Sequence, residues 1–286
     1  MANQLVSASG YNVKNMIFSD PQVGNIPGST IGFKRILIQT KYEDGTIGDL
    51  ILPTSEVFSF GIGETTDMAT KVLNGYSMSL ALWNKNGATE EEKDWVDTFN
   101  AIAENAKKYV LDHKDDIEKY DLEPANLKKF NPLYWKRDKG KIVEGTGPTL
   151  YAKLITSKKE GIKINSIFYD AEGNSIDPLS LIGKYAHVKA AIKIESIFIG
   201  KDISLQVKLY EAEVKLLQTG MQSLMRTNRP TPQKLVSTVS TESRPLQNIQ
   251  NDDDDDDTVA DEEPAPKPVA PVVKKVIKKV IKKVEG

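Results

Sequence analysis

The chain has 286 residues, 39% hydrophobic and 27% charged, with a formal net charge of −2, the balance of a globular protein. It has no cysteine, which excludes a disulfide framework and thiolate metal sites. The start Met1-Ala-Asn-Gln4 lacks a basic and then apolar leader, and no apolar run approaches the ~20 residues that span a bilayer. An intracellular chain with no membrane span is therefore expected.

Residues 1–30 are polar and rich in Gly, Ser and Asn, with Pro21 and Pro27, and read as an irregular N-terminal arm. Phe33–Tyr42 reads as a strand, turned by Asp44-Gly45 into a partner strand Ile47–Leu52, which Pro53 ends. Val57–Phe60 is a short strand. Tyr76–Trp83 alternates and reads as another. Thr89 followed by Glu92 is a capping box, and Trp95, Phe99, Ile102, Ala106, Tyr109 and Val110 fall on one stripe, predicting a helix to about residue 112. Residues 121–147 hold Pro124, Pro132, Gly140, Gly145 and Gly147 and read as irregular.

The second β region begins with Thr149–Thr156 and continues with Gly161–Tyr169, turned at Asp170–Asn174. Asp177–Gly183 is a short turn or helix. His187–Ile199 is a long strand bent near Ala190-Ala191, and Gly200-Lys-Asp202 turns it into Ile203–Lys215. There Ile203, Leu205, Val207 and Leu209 point inward and Ser204, Gln206, Lys208 and Tyr210 outward. Short hairpins around one central helix give a β-rich α+β fold: an antiparallel barrel elaborated by the helix, over residues 31–225.

All 21 aromatics lie at or before Tyr210. Residues 226–286 lack apolar bulk before residue 272 and carry dense like charge, so this stretch reads as a disordered C-terminal tail. It holds an acidic block (Asp252, Asp253, Asp254, Asp255, Asp256, Asp257), a Pro-rich spacer, and a basic block built on Lys274, Lys275, Lys278, Lys279, Lys282 and Lys283. Such tails bind partners or regulate affinity.

Charge is unevenly spread in the body. Residues 1–125 carry 11 Lys and Arg against 19 Asp and Glu, whereas residues 126–210 carry 15 against 8. A basic, aromatic-rich segment of this kind suits a polyanion; the plainer reading is that it pairs with the acidic first half. Catalytic patterns are missing. His113 and His187 stand in unrelated settings, there is no phosphate-binding loop, and Asp112, Asp115, Asp116 and Glu118 are most simply a solvated face. No enzyme, cofactor or metal site is expected.

Phe130-Asn-Pro-Leu-Tyr-Trp-Lys-Arg-Asp-Lys-Gly-Lys141 interleaves three aromatics with four cations. Phe130, Tyr134 and Trp135 are candidates to stack bases, at about 1–3 kcal/mol each. Lys136, Arg137, Lys139 and Lys141 are candidates to hold phosphates. The competing reading is that Tyr134 and Trp135 pin a long loop to the core. Tyr151 and Lys153 share a strand face, and Lys158 and Lys159 follow before Gly161; all four extend the candidate nucleic-acid site.

The runs Pro148-Thr-Leu-Tyr-Ala-Lys-Leu154, Asp177-Pro-Leu-Ser-Leu-Ile-Gly-Lys184 and Lys189–Lys215 resemble a single-stranded DNA-binding family of nucleocytoplasmic large DNA viruses, one member of which belongs to African swine fever virus. The resemblance covers roughly residues 30–220 and is strongest over 148–215. It implies an OB-like barrel and sequence-independent binding of single-stranded DNA. It also implies a part in viral genome replication, recombination or packaging, in the host cytoplasm or viral factory, with the nucleus or virion as further places. The tail would tune affinity or recruit replication or packaging proteins, and a homo-oligomer stays open. The alternative is a virion or assembly protein whose body binds proteins and whose basic tail contacts DNA.

Overall fold

The computed structural model describes residues 4–25, 32–66, 71–83, 87–143, 145–157 and 161–217. In chain order the strands are β1 (Met16–Phe18), β2 (Gln22–Asn25), β3 (Gly32–Lys41), β4 (Ile47–Pro53), β5 (Val57–Thr66) and β6 (Leu73–Ala81), then helix α1 (Glu90–Asp112). There follow β7 (Leu133–Tyr134), β8 (Arg137–Asp138), β9 (Lys141–Ile142), β10 (Thr149–Leu154), β11 (Thr156–Ser157), β12 (Lys163–Ile164), β13 (Ile167–Tyr169), β14 (Ala186–Ile199) and β15 (Ile203–Leu216). The described residues are thus mostly β-sheet with one α-helix, a β-rich α+β body. The expected tail, with its acidic and basic blocks, lies outside the described residues, as do Lys158 and Lys159.

Strand pairing explains how so many short segments make one core. β14 pairs β5, β5 pairs β6, β6 pairs β10, β10 pairs β15, and β15 returns to β14. Four of these five pairings are antiparallel, and β10 with β15 is parallel. β14 can serve so many neighbours because it bends. Its register on β15 shifts at Ala191/Ile192 and again at Ile194/Ser196, and such bulges re-aim a strand and increase its twist. It pairs β5 over 186–188, β4 over 191–194 across the first shift, and β3 over 196–199 past the second. The bend expected near Ala190-Ala191 is this first shift.

Alternation sets which side is buried. On β10, Leu150, Ala152 and Leu154 are buried while Tyr151 is exposed and Lys153 half-buried. On β6, Met78 and Leu80 are fully buried, and Ser77, Ser79 and Ala81 face outward. α1 starts with the expected box: the Glu92 N–H donates to Thr89 Oγ1 at 3.2 Å and the Thr89 N–H to Glu92 Oε2 at 2.7 Å. Its stripe buries Trp95, Val96, Phe99, Ile102, Ala103, Ala106 and Val110. Tyr109 stays half-buried, stacked between Phe18 and His113 at 4.1 and 4.0 Å.

Three expectations change. The N-terminal arm is not irregular throughout: β1 and β2 pair the two ends of β3, which gives its backbone groups partners. The arm is also tied to α1, where the Thr98 hydroxyl donates to the Ala8 carbonyl at 2.8 Å. Strand β5 runs on to Thr66, past the bulge at Gly61. The strand expected over 161–169 is broken into β12 and β13. At the break the Asn165 N–H donates to the Ile155 carbonyl at 2.7 Å, and the Ser166 hydroxyl bonds the Leu209 carbonyl and the Ile155 N–H.

Candidate nucleic-acid interface

Tyr134 and Tyr151 come together because β7 adds to β10, with Tyr134 opposite Thr149 and Tyr151 two residues further on the same side. Their rings meet edge to face, centroids 6.4 Å apart and planes at 64°. They are 41% and 44% exposed, so each presents ring surface to solvent of a kind that stacks a base. Lys153 follows on that side, and its ammonium donates to Gln206 Oε1 at 3.3 Å. Across β6 the opposed residues are Ala81, Ser79 and Ser77, facing Thr149, Tyr151 and Lys153. The outward side of β6 is therefore low beside the two tyrosines.

The four cations of the irregular stretch stand on a hairpin. Arg137 pairs Ile142 and Asp138 pairs Lys141, with Lys139 (φ 47°) and Gly140 (φ 83°) at the tip. Two consecutive positive φ values are what a tight two-residue hairpin loop demands. Arg137 Nη1 donates to the Gly140 carbonyl at 3.2 Å, and the Val143 N–H closes the hairpin on Lys136. Lys136, Arg137, Lys139 and Lys141 are all exposed, directly after Tyr134 and Trp135.

Two aromatics of the expected site behave otherwise. Phe130 is 1% exposed, inside the hydrophobic core; no base can reach it, and it is withdrawn from the stacking set. Trp135 is half-buried and lies edge-on to Trp83 at 5.5 Å and 72°. Gly147 packs on Trp83, where a Cβ would lie 2.6 Å from the ring. Trp135 thus pins the loop, the competing reading above, whereas Tyr134 does not.

Gln206 and Lys208 point outward as expected but are only 5% exposed. Lys208 stands beside Lys153 on β10 and opposite Lys193 on β14, and Lys193 is held by Asp49 at 3.1 Å. Sequence reading missed Gln206 as the partner of Lys153 and the small residues of β6. The outward set Ser77, Ser79, Ala81 was visible in the alternation of Tyr76–Trp83. Among the described residues no group of three His, Cys, Asp or Glu is placed to hold a metal. Nor is any helix among them long and apolar enough to cross a membrane.

Comparison with known proteins gives the family and its relatives. The model of the family described as "Protein of unknown function (DUF2738)" matches residues 10–258. "Uncharacterized protein 007R" of Invertebrate iridescent virus 3 is 26% identical over 232 residues, 79% of this chain and 49% of that protein, so the chain spans about half its length. "Early 31 kDa protein" of Frog virus 3 (isolate Goorha) is 26% identical over 179 residues, 61% of this chain and 68% of that protein. Among solved structures, gp2.5, a single-stranded DNA-binding protein encoded by bacteriophage T7, superposes with a TM-score of 0.37 at 17% identity. It covers 67% of this chain and all of its own.

Proposed function

The chain belongs to the DUF2738 family, and from that premise and the face just described we propose that it is a non-enzymatic viral protein that binds single-stranded DNA without sequence preference. The observation that carries this reading is the exposed pair Tyr134–Tyr151, with Lys153 beside it and the four-cation hairpin next in the chain. Aromatic rings stack any base, and the cations hold the backbone, so neither needs a particular sequence.

Topology supports the same reading. Taken in chain order, β5, β6, β10, β14 and β15 close as first–second–third–fifth–fourth–first, with third and fifth parallel. We read this as an OB-type barrel elaborated by α1. In OB-folds the face of the second and third strands takes oligonucleotides; here those strands are β6 and β10, the ones that carry Ser77, Ser79, Tyr151 and Lys153. A part in genome replication, recombination or packaging, and a place in the cytoplasm or viral factory, belong to the same proposal. So does a tail that tunes affinity or recruits partner proteins.

The test is a titration of fluorescent oligo-dT with the full chain and with a chain ending at residue 225. The proposal expects binding to be kept or tightened when the tail is removed. Loss of binding on truncation would move the nucleic-acid contact to the tail and favour an assembly protein.

A further inference from the structure

Phe58, Phe60, Tyr185 and His187 form a second group of rings on the body. Phe58 lies edge-on to Phe60 at 5.0 Å, 5.8 Å from Tyr185 and 6.2 Å from His187, and Phe60 meets Tyr185 at 6.0 Å. Phe60 is 49% exposed and Tyr185 45%. Single exposed apolar side chains are ordinary, but a contiguous exposed group marks a contact surface.

Backbone geometry holds this group together. Gly61, between Phe60 and Ile62, has φ +89°, and a Cβ there would lie 2.5 Å from the Lys184 carbonyl oxygen. The Gly183 N–H donates to the Ile62 carbonyl at 3.1 Å. The segment after the short helical turn Pro178–Leu181 is thereby drawn against β5, which sets Tyr185 beside Phe60.

Register relates this group to the tyrosine pair. His187 is opposite Phe58, Phe58 opposite Ala81, Ala81 opposite Thr149, and Thr149 opposite Tyr134. Residues directly opposed on neighbouring strands project to the same side of the sheet. Both ring groups therefore stand on the outside of the strands, with small or short side chains between them. Three strand spacings, a path of about 14 Å along the sheet, lead from the backbone of Phe58 to that of Tyr134. On the rim Lys184 and Lys189 are exposed, Glu213 stands opposite Lys189, and Lys215, 4.0 Å from Glu213, holds Glu56. That hydrogen bond draws the Glu56 carboxyl below its usual range and raises the Lys215 ammonium.

We infer that Phe58, Phe60, Tyr185 and His187 are a second stacking platform for the same single strand, reached by nucleic acid that crosses Ala81 and Thr149 from the Tyr134–Tyr151 pair. The inference rests on the proposed single-strand binding. Nucleic acid is favoured as the occupant because Phe58 and His187, which Phe60 and Tyr185 adjoin, share a register row with Tyr134 of the first platform, and because Lys184 and Lys189 on the rim offer cations to phosphates. A separation of this size also fits within the roughly 4–16 nucleotides that one OB-type domain covers.

The experiment uses the full chain and a Phe60→Ala, Tyr185→Ala variant, with oligo-dT of about 5 and about 15 nucleotides read by fluorescence anisotropy. The unaltered chain is expected to prefer the longer oligonucleotide. The variant is expected to bind the short one as before and to lose at least about tenfold on the long one, since each stacked base contributes about 1–3 kcal/mol. A Phe60→Leu, Tyr185→Leu variant keeps apolar volume without the rings and is expected to behave alike, which separates lost stacking from a damaged fold. Unchanged affinity for both lengths overturns the inference while leaving the first platform in place. Self-association of the unaltered chain that disappears in the variant, with oligonucleotide binding intact, assigns the patch to a second copy and also overturns it. If the unaltered chain binds neither length, the single-strand reading itself falls, and this inference with it.

Discussion

Replacing Tyr134 and Tyr151 together by alanine removes two exposed rings. At 41% and 44% exposure, neither ring is packed as a core residue is, so the melting temperature should move little; surface changes are usually within about 0.5 kcal/mol. Each base stacked on a ring contributes about 1–3 kcal/mol. The rings touch at 6.4 Å, so their effects are not independent, and the pair is expected to contribute less than the full sum. A decrease of at least about 1.4 kcal/mol, tenfold in affinity, is the lower bound of the expectation. Anisotropy of labelled oligo-dT at fixed salt reads it, beside a thermal melt. Unchanged affinity with an unchanged melt would refute the reasoning and move the site elsewhere.

Phe130→Ala makes the opposite case: a fully buried ring is removed from the core, at about 3–5 kcal/mol, so the melt should fall sharply. A stable Phe130→Ala chain that merely binds DNA less well would return Phe130 to the site. Changing Lys136, Arg137, Lys139 and Lys141 to glutamine should flatten the salt dependence of single-strand binding by about 0.7 in log–log slope for each phosphate no longer neutralised; an unchanged slope removes the hairpin from the interface. Gly61→Ala places a Cβ 2.5 Å from a carbonyl oxygen at positive φ and should destabilise by about 1–3 kcal/mol or more, read by denaturant unfolding; a neutral change would contradict the drawn-in position of Lys184. Asp170 accepts hydrogen bonds from the Asn174 side chain, the Asn174 N–H and the Glu172 N–H, which hold its carboxyl below the usual 3.8. The charged form is favoured in the folded state, so this stabilisation is present above pH 3.8 and lost as pH falls through the lower folded value. The melting gap between the unaltered chain and Asp170→Ala should narrow across that window, and a constant gap would contradict it.

What the sequence made legible follows its local signals. The capping box at Thr89 and Glu92 fixes the start of α1, because both side chains can satisfy only that helix end. The alternation of Ile203–Leu209 places Ile203, Leu205, Val207 and Leu209 in the core, but it gave no sign that Gln206 and Lys208 on the other side are buried as well. The side shared by Tyr151 and Lys153 is likewise a property of period two. What stayed hidden depends on distant partners. Phe130 sits among cations in sequence, but its carbonyl accepts from the Leu205 N–H at 3.1 Å and its ring goes into the core. The arm becomes strands only because β3 offers two free ends. Phe58 and Phe60 lie more than a hundred residues from Tyr185 along the chain, and they are joined by the β5–β14 pairing and by the Gly183–Ile62 hydrogen bond. The Lys139-Gly140 loop was readable from its glycine, yet its flanking strands are two residues each, too short for a periodic signal.

The central claim is that the outer side of β6 and β10 takes single strands in preference to duplex. The most direct measurement is the affinity of the full chain for oligo-dT and for a duplex of equal length, at two salt concentrations. Tighter binding to the single strand, weakening as salt rises, is the expected result. Equal binding to both, or binding to neither, would contradict it.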